Sequence, residues 1–251
     1  MRRDDPDGWD WEAPRPIPTP VPMVEEPEPP SPYAPSFATK LLAWVITLLI
    51  FGGGAVYLLR YQLGLAEGHY AYLVVQPGNP DEPVRYPACQ PLSYAVSGEG
   101  LDSEHELIDE AVVEIAAATG LRFVPLGSAT EGATIVIRWT DSTGEPRLAG
   151  DTVGIGGSSS VVDPESGLRY FTKGRIDLDT PDLTTTLIQH GPEEVRAVMM
   201  HELGHVIGLD HVDDRNELMY QRNIGKTDFG PGDKEGLAIL GKGPCLGQAS
   251  P

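Results

Sequence analysis

Residues 201 to 211 read His-Glu-Leu-Gly-His-Val-Ile-Gly-Leu-Asp-His. His201 and His205 are four apart, so on a helix their imidazoles stack on one face, one turn above the other. Both can reach one Zn²⁺ at about 2.0–2.1 Å from each nitrogen. Glu202 lies beside them, where a carboxylate can take a proton from a zinc-activated water. Gly208 can end the helix by adopting φ > 0. The chain can then reverse and bring His211 in as a third ligand. Three protein ligands leave one tetrahedral position free, which is the arrangement of a catalytic rather than a structural zinc site.

The elements that must hold these residues are legible in the flanking sequence. Pro192 suits the first turn of the helix bearing the histidines, with Glu193 and Glu194 near its positive end. Val195, Val198 and Met199 supply the buried face of that helix, leading into Val206. Ahead of it, Leu107, Ile108, Ala111, Val112 and Ile115 repeat at helical spacing up to Gly120. Ser103 and Glu106 read as a capping box for that helix. Strands are expected at Leu92–Ser97, Arg122–Leu126, Thr134–Trp139 and Arg175–Asp179. Thr152–Val162 reads as an extended Gly/Ser segment. Pro231–Leu240 reads as a last short helix stopped by Gly241. The fold class is α+β.

This pattern resembles the metzincin zinc endopeptidases, whose long zinc motif is followed by a tight turn carrying a methionine. Here Met219 follows His211 by eight residues, and the Leu218-Met219-Tyr220 triplet looks most like the matrixin branch. The resemblance spans roughly residues 86 to 245, is strongest over 192 to 220, and suits a compact prokaryotic-type matrixin. It implies a twisted sheet, a cleft and a small C-terminal lobe. It implies that His201, His205 and His211 are the zinc ligands, Glu202 the general base, Met219 the turn methionine and Tyr220 a wall of the substrate pocket. It also implies an edge strand above the cleft that pairs with the substrate backbone. Gly154, Ile155 and Gly156 fall at that place, where glycines would let a second backbone approach. A surface loop is the plainer reading of the same segment.

The chain departs from the family in several places. Val212 stands where Ser or Thr is common, and Gln221 where Pro is common. No His lies between Gly150 and Val161, so no second, structural zinc is expected, and the Pro-Arg-Cys-Gly latency run is absent. The activity implied is hydrolysis of protein or peptide substrates. Two rivals use the same site: a catalytically silent, zinc-stabilised adhesion or scaffold module, and a zinc amidase of narrow specificity. The intact Glu202 speaks against the silent module.

The first third of the chain reads differently. Residues 1 to 35 hold eleven of the 24 prolines, interspersed with Asp and Glu. Such a composition cannot bury enough apolar surface to offset its ordering entropy. Residues 1–39 are therefore expected to form a disordered acidic tail, with a cytoplasmic proline-binding partner as an option. Leu41 to Leu59 is a run of 19 residues without charge, flanked by Lys40 and Arg60. At 1.5 Å per residue it spans about 28 Å, enough for the hydrocarbon core. Residues 40–60 are expected to be a single transmembrane anchor rather than a cleaved signal peptide, given the long acidic leader. A juxtamembrane linker is expected over 61–87 and the zinc domain over 88–251.

Cys89 and Cys245 are the two cysteines, and they bracket that domain. A disulfide between them suits an oxidising exterior, which puts the N-terminus in the cytoplasm and the zinc domain outside. The alternative is that the Cys89 thiolate caps the zinc as a latency switch. Residues 61 to 251 carry 29 acidic and 13 basic side chains, net −16 of the total −19. Such a domain is unsuited to nucleic acid. Asp177, Asp179 and Asp182, or Asp210, Asp213 and Asp214, are candidates for a Ca²⁺ site, although no EF-hand spacing is present.

Overall fold

Alternation of side chains decides the sheet. In Ile135–Thr140, Ile135, Ile137 and Trp139 are buried, while Val136, Arg138 and Thr140 turn the other way. A period of two puts successive side chains on opposite faces. The computed structural model describes residues 68–245. Its strands are β1 (Ala71–Tyr72), β2 (Val75–Gln76), β3 (Asn79–Pro83), β4 (Leu92–Ser97), β5 (Phe123–Pro125), β6 (Ile135–Thr140), β7 (Gly154–Val162), β8 (Arg169–Asp179) and β9 (Leu209–Asp210). Its helices are α1 (Glu104–Thr119), α2 (Thr180–His190), α3 (Pro192–Ile207) and α4 (Pro231–Leu240).

The main sheet has the order β5-β4-β6-β8-β7. Neighbours are parallel except β7, which runs antiparallel to β8 and forms one free edge. Helices α1 and α3 pack together and bury Ile108, Ile115, Met200 and Leu203 in one core with Ile135, Ile137 and Ile176 of the sheet. This is the mixed α+β architecture expected from the sequence. Gly120 ends α1 at φ 74°, the left-handed conformation that suits glycine.

Three expectations need correction. Ser103 sits at the start of α1, but its side chain makes no capping hydrogen bond. Its backbone, at φ −100° and ψ 15°, is not the extended cap geometry that would aim the hydroxyl at the first turn. Second, α2 is absent from the elements expected from the sequence. Its Thr184, Thr185 and Thr186 are poor helix formers, yet their hydroxyls donate to the carbonyls of Thr180, Pro181 and Asp182, one turn back. The signal that could have revealed α2 is Asp179 followed by Pro181: the Asp179 carboxylate accepts from the Asp182 N–H and caps the helix.

Third, the described part of the expected linker, residues 68–87, belongs to the folded body. β1 pairs with β9, and β2 and β3 form a hairpin that turns at Gly78, φ 80°. Val84 and Tyr86 are fully buried in the core. Gly78 is thus a turn residue and Pro80 a residue of β3, not marks of a loose tether. Cys89 and Cys245 form a disulfide with Cα atoms 5.3 Å apart, which removes Cys89 as a zinc-capping thiolate. The tail over 1–39 and the anchor expected over 40–60 lie outside the described residues. Among the described residues, no helix is long and apolar enough to cross a membrane.

Candidate active site

The site is built where α3 ends. Gly208 closes the helix at φ 124°, a conformation that strains a residue with a Cβ. The chain reverses into β9, where Leu209 and Asp210 pair with Tyr72 and Ala71 of β1. The Leu73 N–H donates to the Gly208 carbonyl at 2.9 Å. The segment before the sheet therefore clamps the turn that delivers His211.

His211 Nε2 lies 3.1 Å from His201 Nε2 and 3.2 Å from His205 Nε2. The other ring nitrogens are occupied: His201 Nδ1 is 2.8 Å from the Leu218 carbonyl, and His205 Nδ1 is 2.8 Å from the Leu209 carbonyl. A carbonyl only accepts, so each Nδ1 carries the proton and each Nε2 presents a bare lone pair. Burial, reinforced by the neighbouring imidazoles, pushes His201 down to about 3, and burial pushes His205 down to about 4. Both rings are neutral at physiological pH.

These donors fit a zinc ion. Tetrahedral bonds of about 2.0–2.1 Å put ligand nitrogens about 3.3 Å apart, close to what is observed. Among the described residues, this triad is the one group of three or more His, Cys, Asp or Glu side chains whose ligand atoms converge. Neither acidic cluster considered for calcium does so. Asp177 is taken by Arg138 and Arg175, Asp179 caps α2, and Asp214 accepts from His69 and Asn216.

Glu202, 6 % exposed, faces β7. A Cβ on Gly154 would lie 2.8 Å from Glu202 Cγ, and one on Gly156 would overlap the Glu202 backbone. The glycines therefore admit a close backbone, but it is that of α3 itself. Ile155, between them, lines the cleft with both. Burial pushes the Glu202 carboxyl up to about 7, against a hydrogen bond from the Gly156 backbone.

Met219 is buried beneath the helix, where its Sδ would meet a Cβ on Gly204 at 2.7 Å. Tyr220, half-buried, lines a cleft of about 510 Å³ with Val198, Leu218 and Gln221. What holds this turn is not legible in the sequence. Asp233 of α4, wholly buried, accepts from the N–H groups of Leu218 (2.5 Å), Met219 (3.3 Å) and Gly230 (2.9 Å). Glu217, also buried, accepts from the Asp233 N–H at 2.9 Å. Burial raises the Asp233 carboxyl, and Glu217 nearby adds to the rise. The available signal was an acidic residue in the first turn of a Pro-initiated helix, which reads equally as a dipole partner.

A helix-borne histidine pair, a third histidine beyond a glycine break and a buried methionine turn define a mononuclear zinc hydrolase. The matrixin family model matches residues 89–237, more than half of the chain. The chain belongs to the matrixin family and is a zinc metalloendopeptidase acting on protein or peptide substrates. No curated protein matches it.

Proposed function

We propose that the protein is a membrane-anchored endopeptidase in which His201, His205 and His211 hold one catalytic zinc and Glu202 is the general base. The observation that carries this is the convergence of three histidine Nε2 atoms, with the His201 and His205 rings oriented by backbone carbonyls. Zinc at such a site supplies Lewis acidity, which lowers the pKa of water to about 7 and polarises a carbonyl.

Glu202 is one residue from the first ligand, and its carboxyl, buried against β7, stands beside the histidines where a proton can be exchanged with a bound water. Its carboxylate takes the proton of the attacking water and delivers it to the leaving amine. The free edge of β7, at Gly154, Ile155 and Gly156, receives an extended substrate backbone. Tyr220 and Leu218 form the wall against which a substrate side chain packs. The Met219 turn supports the ligands from below.

The anchor rests on the uncharged run Leu41–Leu59. The outward orientation is supported by the Cys89–Cys245 disulfide, which persists in oxidising surroundings. The acidic tail would then lie in the cytoplasm. The test is incubation of the full chain with a denatured protein, with and without a chelator. Chelator-sensitive internal cleavage is expected, and a zinc-loaded chain that cleaves nothing would overturn the reading.

A further inference from the structure

Beyond Arg60 the chain holds 13 basic residues against 29 acidic ones. Four of the 13, Arg138, Arg147, Lys173 and Arg175, line one concavity of about 740 Å³. Register places them there. Ile135, Ile137 and Trp139 point into the core, so Arg138 points out of the opposite sheet face, beside its β8 partner Asp177. Lys173 and Arg175 follow on the same face of β8 at a spacing of two.

Carboxylates do not neutralise this group. The buried Asp177 is shared, with Arg138 Nε at 2.6 Å and Arg175 Nε at 2.8 Å. Arg147 pairs with Glu145 at 2.9 Å. Lys173 donates to the Ala133 carbonyl and has no carboxylate partner among the described residues. Four cations thus face two anions. Asp177 holds both guanidiniums in place and leaves their remaining N–H donors for a ligand.

The concavity adjoins the cleft. Ile155 and Gly156 of β7 line both. A chain laid along the β7 edge from the histidines reaches the basic face within a few residues, at about 3.3 Å each. We infer that this face is a docking subsite for acidic side chains of the protein substrate, a short distance from the bond cleaved. The inference rests on the reading of β7 as the substrate-binding edge. The domain as a whole repels acidic chains, so the subsite admits those whose charges are placed to meet it.

The test uses the full chain and two fluorogenic peptides that share a central sequence. In one, both flanks carry Asp and Glu; in the other, Ser and Asn. At low salt, kcat/KM is expected to favour the acidic peptide by about fivefold or more. The preference should vanish at about 0.5 M salt and in the double variant Arg147→Ser/Lys173→Ser, which leaves the Asp177 pairs intact. The neutral peptide should be cut equally by both proteins. Equal rates on the two peptides, or a preference that survives the double substitution, would overturn the inference while leaving the protease reading standing. If neither peptide is cut, anisotropy of a labelled acidic peptide on Glu202→Gln decides. Binding lost in the triple variant Glu202→Gln/Arg147→Ser/Lys173→Ser supports the subsite, and absence of binding overturns it. Binding of heparin or single-stranded DNA but not of the acidic peptide would also overturn the proposed occupant.

Discussion

Gly156 of β7 lies so close to Glu202 of α3 that any Cβ there would overlap the helix backbone. The edge strand and the proposed general base are thereby set against each other with no side chain between them. Gly156→Ala should force the two elements apart, lowering unfolding free energy by about 1–3 kcal/mol and reducing kcat. Gly157 makes the matched control, because a Cβ there meets nothing within 4 Å. Denaturant unfolding and peptide turnover of both variants check this, and equal behaviour of the two would refute the close-approach argument.

Glu202→Gln removes the proposed proton acceptor but keeps the shape. Peptide turnover should fall by about 10²–10⁴-fold, while metal analysis still finds one zinc per chain. Turnover near the parent rate in the zinc-loaded variant would reassign the base.

The same residue has a pH signature in the metal-free protein. Its folded-state value is raised from 4.5 to about 7. Between those values the folded state holds a proton that the unfolded state lacks, so this group's contribution to stability falls as pH rises. Glu202→Gln lacks that loss. The chelated variant should match the chelated parent below about pH 4.5 and be the more stable of the two above about pH 7, by an amount of order a few kcal/mol. Urea unfolding at pH 4.5 and pH 8 gives the comparison, and a difference that does not grow with pH would show that the carboxyl is not buried as described.

Leu73→Pro deletes the N–H that donates to the Gly208 carbonyl. Leu73 itself is exposed, so the effect acts through the backbone that holds the His211 turn. Zinc affinity should drop by about tenfold, the lower end of what loss of an outer-shell partner costs. Competition with a chromophoric chelator measures it, and unchanged affinity would mean that the Leu73 backbone does not restrain His211.

The Cys89–Cys245 bridge spans 156 positions. In the chain-entropy account, closing so long a loop is worth about 5 kcal/mol. The double variant Cys89→Ser/Cys245→Ser should lower Tm by many degrees, and the parent should show no reactive thiol. A titratable thiol in the folded parent would contradict the pairing.

The α+β class, the helix bearing the histidines, its glycine stop and the final helix were all legible, because each depends on neighbours within a turn or two. Pro192, Gly208 and the apolar spacing of Val195, Val198 and Met199 are local instructions. The poor propensity of three consecutive threonines concealed α2, although its Asp179 cap was visible. The role of residues 68–87 was hidden for a different reason. Two-residue strands such as β1 have no periodicity to detect, and their partner lies some 140 positions away.

By itself the sequence determined the donor types and their spacing, since an i, i+4 pair on a helix shares a face whatever surrounds it. Tertiary structure alone decided that the Leu218 and Leu209 carbonyls orient the imidazoles, that Asp233 holds the Met219 turn, and that Arg138, Arg147, Lys173 and Arg175 share one sheet face. Those relations join residues far apart in the chain, and they exist only where packing of strands and helices brings the groups within hydrogen-bonding reach.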